Sequence, residues 1–192
     1  SCAVPGIALD LTPLRVYPDF RRLWTSSLIT RLGAMATYVA APFQIKALTG
    51  SYVAVGLLGL AELLPLVVFG LYGGALADRV DRVRMAILTE LGMMACALIL
   101  SVNALRAAPS LMTIYIVAML MAAIDGLKRP SLDALLPRLV QPVHLPAASA
   151  LNSLTHSGSV IVGTAAGGLI AVTWGPAAAY GIDTASYALS AL

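Results

Sequence analysis

Long apolar runs separated by short polar breaks set the pattern of this chain. Between Arg22 and Lys46 lie 23 residues whose only charge is Arg31. Ala47 to Ala77 is 31 residues with only Glu62, Met85 to Leu105 is 21 with only Glu90, and Ala107 to Leu127 is 21 with only Asp125. Leu139 to Ile182 is 44 residues with no Asp, Glu, Lys or Arg. A helix that crosses a bilayer needs about 20 mostly apolar residues at 1.5 Å each. Each of the first four runs fits one such helix. The longest must hold a helix, a turn near "TWGP" (Thr173 to Pro176) and the start of another. The pattern predicts an all-α membrane protein: an N-terminal segment over 1–22, then six transmembrane helices at about 23–47, 52–77, 85–105, 110–132, 147–172 and 177–192, the last cut off at Leu192.

Composition agrees. The chain is 59% apolar and 11% charged, with a mean hydropathy of +0.89, and a soluble domain of 192 residues could not hide that much apolar surface. The first apolar run is long, follows "PDFRR" and lacks a small-residue cleavage site, so it is expected to stay as a helix rather than leave as a signal. Cys2 precedes the membrane region and Cys96 sits within the third helix, which implies two inert thiols and no pairing. The net charge of +3 does not point to nucleic acid, because the basic residues sort by loop. Arg15, Arg21, Arg22, Arg79, Arg82, Arg84, Lys128, Arg129 and Arg138 fall on one side, and Lys46 and Arg106 on the other. The richer side is expected in the cytoplasm, together with the N-terminus.

The densest charge cluster lies between the second and third helices, in "GGALADRVDRVR" (Gly73 to Arg84). Snorkelling arginines account for part of it. The small residues Gly70, Gly73, Gly74, Ala75 and Ala77 allow close helix approach, and an Asp at such a turn can cap a helix N-terminus. At these residues the chain resembles the major facilitator superfamily, whose signature loop reads roughly G-x-L-A-D-R-x-G-R-K. Gly74, Leu76, Ala77, Asp78, Arg79 and Arg82 match it, while Asp81 stands where Gly is usual and Val83 where a basic residue is usual. The resemblance implies that this loop gates the cytoplasmic side, its Asp capping a helix in the other half of the transporter.

A second stretch, "SVIVGTAAGG" (Ser159 to Gly168), is similar to the family's antiporter motif g-x-x-x-G-P-x-x-G-G through Gly163, Gly167 and Gly168, with Thr164 in place of the Pro. It also reads as a generic small-residue packing stripe. "FRRLW", "RPSLDALLPRLV" and "LPAASALNSL" extend the resemblance to the enterobactin-exporter and multidrug-efflux branch. Members carry two six-helix bundles. The resemblance therefore implies the N-terminal half of an efflux transporter for a small amphipathic, siderophore- or drug-like solute. Its energy source would be the proton gradient, with no bound cofactor. Its partners would be the lipid bilayer, a second six-helix half and the solute. A non-transporting membrane module that acts only as an assembly partner is the other reading.

Ionisable groups within the apolar runs carry whatever chemistry the chain has, because a charge at bilayer depth is costly unless paired or wet. Glu62 and Arg31 are the candidates for proton coupling and substrate binding: they either form a titrating pair or a static fastening between the first two helices. Asp125 is read either as a third member of that set or as an interfacial ion pair with Lys128 or Arg129. Glu90 is expected to pair with the loop arginines, and Asp133 with Arg79 or Arg82. His144 falls in a loop, and His156, one turn after Asn152, either faces a cavity or packs. Nothing has the spacing of a metal site, a nucleophile triad or a phosphate loop, so no enzyme is expected.

Overall fold

A computed structural model describes the backbone of residues 10–77 and 82–190, and their side chains except at 73–77, 82–83 and 129–135. Among the described residues every regular element is a helix. In chain order these are α1 (Thr12–Val16), α2 (Pro18–Thr49), α3 (Tyr52–Ala77), α4 (Arg82–Ala104), α5 (Leu111–Leu139), a 3₁₀ turn (Pro142–His144), α6 (Leu145–Gly158), a π-turn (Ser159–Gly163), α7 (Thr164–Thr173) and α8 (Pro176–Ser190). The spans Tyr52–Tyr72, Arg84–Ala104, Leu111–Lys128 and Pro142–Thr173 are long and apolar enough to cross a membrane. Among the described residues four of the six expected segments meet that measure. α2 falls short because threonines, serines, Gln44 and Arg31 dilute it, and α8 because it has 15 described residues.

Local chemistry sets the breaks. Tyr17, extended because Pro18 follows it, starts α2, and Asp19 in the first turn faces the positive end of the helix dipole. α2 stops at Gly50, whose φ of 67° is a left-handed cap that costs a glycine little, and its N–H donates to the Lys46 carbonyl. The α4–α5 connection is closed by Asn103, which donates from Nδ2 to the Ser110 carbonyl and accepts the Ser110 N–H, while Ser110 Oγ caps α5 at Thr113. Gly175, at φ 84°, and Pro176 end α7 and begin α8. In the N-terminal segment Thr12 donates to Asp10, and that bonding holds the Asp10 carboxyl below its usual range.

Helix packing follows small residues rather than chain order. α3 lies along α5 and barely touches α2, while α2 packs on α8 and on the α6–α7 segment, and α4 lies against α5 and α8. The core joining them is small-grained: Ala36, Ala40, Ala41, Cys96, Ala118 and Ala179 surround Ile45, Leu100, Ile114 and Tyr180. Gly126 makes the α3–α5 crossing, because a Cβ there would sit 2.9 Å from the Gly70 nitrogen and 2.9 Å from the Leu66 carbonyl. Outside this core α3 exposes Leu60, Leu63, Leu64 and Leu71, an outward apolar face that suits lipid and not water. A second, smaller core of Phe20, Val140, Ala148 and Leu151 closes one end of the bundle, where Tyr17 OH meets His144 Nδ1 at 3.1 Å.

Candidate functional site

Arg31 does not meet Glu62. It lies on α2, and its Nη1 is 3.1 Å from Nδ1 of His156 on α6. A guanidinium only donates, so His156 Nδ1 must accept, which puts the ring proton on Nε2. His156 is exposed and Arg31 half-buried, so the pair is covered only in part by the helices around it. Tyr38, two turns beyond Arg31 and therefore on the same stripe of α2, is 65% exposed, and Phe43 is 51% exposed. Glu62 sits on α3, half-buried, one turn before the buried Pro65, with no hydrogen-bond or ion-pair partner among the described residues. The expected pairing fails because α3 belongs to the α5 side of the bundle and α2 to the α8 side.

A polar chain instead ties four helices together. Lys128 Nζ on α5 is 2.9 Å from Glu90 Oε2 on α4, with side chains only 14% and 20% exposed. Ser190 Oγ on α8 donates to Glu90 Oε1 at 3.1 Å and meets Ser26 Oγ on α2. Lys128 also stands 5.6 Å from the ring centre of the buried Tyr187. Glu90 thus pairs with Lys128; the side chains of Arg79, Arg82 and Arg129, with which Glu90 and Asp125 were also expected to pair, lie outside the described residues. Asp125 lies in the same neighbourhood, close enough to act on Tyr187, and has partners of its own.

Asp183, on α8, is the most enclosed carboxyl. It is 0% exposed; Oδ2 accepts from Thr37 Oγ1 on α2 at 2.6 Å, and Oδ1 is buried with no partner among the described residues. Beside it Ser186 Oγ donates to the Asp183 carbonyl, and a Cβ on Gly33 would collide with Ser186. One turn earlier Tyr180 OH donates to Gln44 Oε1 at 2.9 Å. Asp183, Ser186, Tyr187 and Ser190 fall at i, i+3, i+4 and i+7. That polar stripe, on a helix whose other residues are mostly apolar, is the sequence signal for the buried network.

The glycines of the second motif divide. A Cβ on Gly163 would meet Met35 Cβ at 2.7 Å, and one on Gly167 would meet Ala36 Cα at 2.6 Å, whereas Gly168 has only Val39 Cγ1 at 3.7 Å. The first two bring the α6–α7 segment onto α2. Just before Thr164 the π-turn widens that segment and leaves Ser159 Oγ buried without a partner among the described residues. An apolar groove of about 440 Å³ beside this crossing, lined by Leu32, Val162 and Ile182 among others, has no charged side chain in its wall. Of the signature loop, Asp78 and Arg79 lie outside the described residues. Gly74 and Arg82 are placed on α3 and α4 by backbone alone. Asp133 and Arg129 likewise have no described side chain.

Comparison with known proteins fits a membrane bundle of this kind. The chain is 34% identical over 182 residues to the Enterobactin exporter EntS of Shigella boydii serotype 18, and 33% identical to that of Escherichia coli O1:K1 / APEC. Each alignment covers 92% of this chain and 42% of the relative, so the chain spans less than half the length of these proteins. No solved structure matches. Residues 8–192 match the family model described as Transmembrane secretion effector. With a match over nearly its whole length, this multi-pass membrane protein belongs to the transmembrane secretion effector family of the major facilitator superfamily.

Proposed function

We propose that the chain supplies one bundle of a proton-coupled efflux transporter, with all six long helical segments spanning the membrane and a second six-helix half completing the pathway. The relatives carry the name of an enterobactin exporter, and the cargo proposed here is of that kind: a small amphipathic solute, siderophore- or drug-like. The observation that carries this reading is the partly covered Arg31–His156 pair, set on one stripe with the exposed ring of Tyr38. A charged group at bilayer depth that its own bundle covers only in part is placed to receive something. Arg31 would hold an anionic group, and Tyr38 and Phe43 would hold the apolar body beside it.

The pair makes a prediction of its own. Arg31→Gln removes the cation proposed to hold the anionic group, and is expected to weaken binding of an anionic solute while leaving an uncharged solute of similar size bound as before. Binding of the two solutes measured side by side checks it, and a variant that holds the anion as tightly as the parent would remove Arg31 from the site.

Coupling also needs a group that takes up and gives back a proton, and a carboxyl apart from this pair is proposed for it. Glu62, half-buried and without a described basic partner, is the residue proposed for it. Asp125 remains proposed as an accessory of the same pathway. The signature loop, through Gly74, Asp78, Arg79 and Arg82, is proposed to gate the cytoplasmic face, and Gly163, Gly167 and Gly168 to mark the antiporter-like crossing. A cytoplasmic position is proposed for both the N-terminus and the loop, and the basic-residue count supports it. A Cys at Val80 is expected to resist an impermeant thiol reagent added to intact cells and to react once the membrane is opened. Labelling from outside would overturn the orientation and the gating role together.

A further inference from the structure

We propose that Asp183 holds a proton in this conformation and releases it only when the α2–α8 crossing opens to water. The use of that proton in transport rests on the coupled export proposed above; the proton itself does not.

The argument is one of unmet bonding. A carboxylate has two oxygens that each call for donors, and at this depth nothing solvates what the protein leaves bare. Here Oδ2 has one partner, Thr37 Oγ1 at 2.6 Å, and Oδ1 has none among the described residues. The Ser186 hydroxyl donates to the Asp183 backbone carbonyl at 2.7 Å, so what it offers the carboxyl beside it is shared, and Oδ1 stays without a partner among the described residues. As a neutral acid the same group is far less demanding: Oδ2–H can donate to Thr37 Oγ1 across the same 2.6 Å, and Oδ1 is left as an uncharged carbonyl. The charges around it do not replace that proton. α4 presents Glu90 and the Cys96 thiol, α5 presents Asp125 and Lys128, and α8 itself presents Tyr180 and Tyr187. Lys128 is the cation nearest to hand among these, and it is engaged with Glu90 at 2.9 Å. α2 offers the Thr37 hydroxyl and, at Gly33, bare backbone; α7 has no titratable residue.

The crossing explains why proton and conformation are linked. Gly33 lets α2 close on Ser186 so tightly that a Cβ would not fit, and the same closure seals Asp183 from solvent. Loss of the proton to water leaves an anion that must be hydrated, which requires α8 to move off α2. Return of the proton from water permits closure. Only the carboxyl O–H bond is broken and remade.

Infrared spectra of the chain in lipid bilayers test this directly, because a protonated carboxyl has a carbonyl stretch distinct from a carboxylate and shifts in D₂O. At neutral pH the expected spectrum contains an acid carbonyl band that Asp183→Asn removes and Glu90→Gln leaves in place. An unchanged band in Asp183→Asn, or no acid band at all, overturns the proposal. Asn has the shape of the neutral acid, so the variant should fold. If it does not enter the membrane, Thr37→Val serves instead: removing the hydroxyl partner is expected to shift the band, and an unmoved band overturns the proposal equally. In the full-length transporter, export that ignores the proton gradient while the Asp183 band is present would refute coupled export and leave the proton on Asp183 standing.

Discussion

Lys128→Met is expected to destabilise the bundle by about 3 kcal/mol or more, the usual cost of removing one partner from a buried ion pair. The substitution preserves the length of the stem and deletes the charge. Of its described partners Glu90 then keeps the Ser190 hydroxyl alone, with its Oε2 facing the place the ammonium held. Asp183 and Asp125 lie around the same Tyr187, so the loss falls on a neighbourhood already rich in carboxyls. Glu90→Gln is expected to cost less, because Lys128 retains anions nearby. Adding Glu90→Gln to Lys128→Met should recover much of the loss, since no unpaired charge then remains at the former pair. Unfolding midpoints of the two single variants and the double variant in detergent micelles make the measurement. Strict additivity of the two losses would contradict the pairing.

Two adjacent glycines give the second large effect, and each controls for the other. Gly167→Ala is expected to destabilise by about 1 to 3 kcal/mol, as overpacking a close crossing does. The new methyl would lie 2.6 Å from Ala36 Cα, which is backbone and cannot turn aside, so α7 and α2 must separate. Gly168→Ala meets only Val39 Cγ1 at 3.7 Å, an ordinary contact, and should be neutral or gain up to about 1 kcal/mol of helix propensity. Equal effects of the two substitutions on thermal stability would show that the crossing is not as close as described.

The helical class and the membrane character were legible because 44 residues without Asp, Glu, Lys or Arg leave few other fates. The partners of the charged residues were not. Sequence spacing reports neighbours on one helix, and the pairs that matter here join α2 to α6, α4 to α5 and α8 to α2. Arg31 was expected to find Glu62 because the first two helices adjoin in the chain. Helix order in space follows instead where small residues permit contact, as at Gly126 and Gly167. Gly126 itself went unnoticed: a lone glycine carries no motif, and its reason appears only when Gly70 and Leu66 lie across from it. In sequence Asp183 is one acid just past the longest uncharged run, and its full burial is a property of the α2–α8 crossing alone.

Export of labelled siderophore from cells making the full-length transporter, before and after a protonophore collapses the proton gradient with ATP maintained, tests the central claim most directly. Efflux is expected to stop on collapse, and Glu62→Gln is expected to lose the response to the gradient. Export that continues at an undiminished rate after collapse would contradict the account.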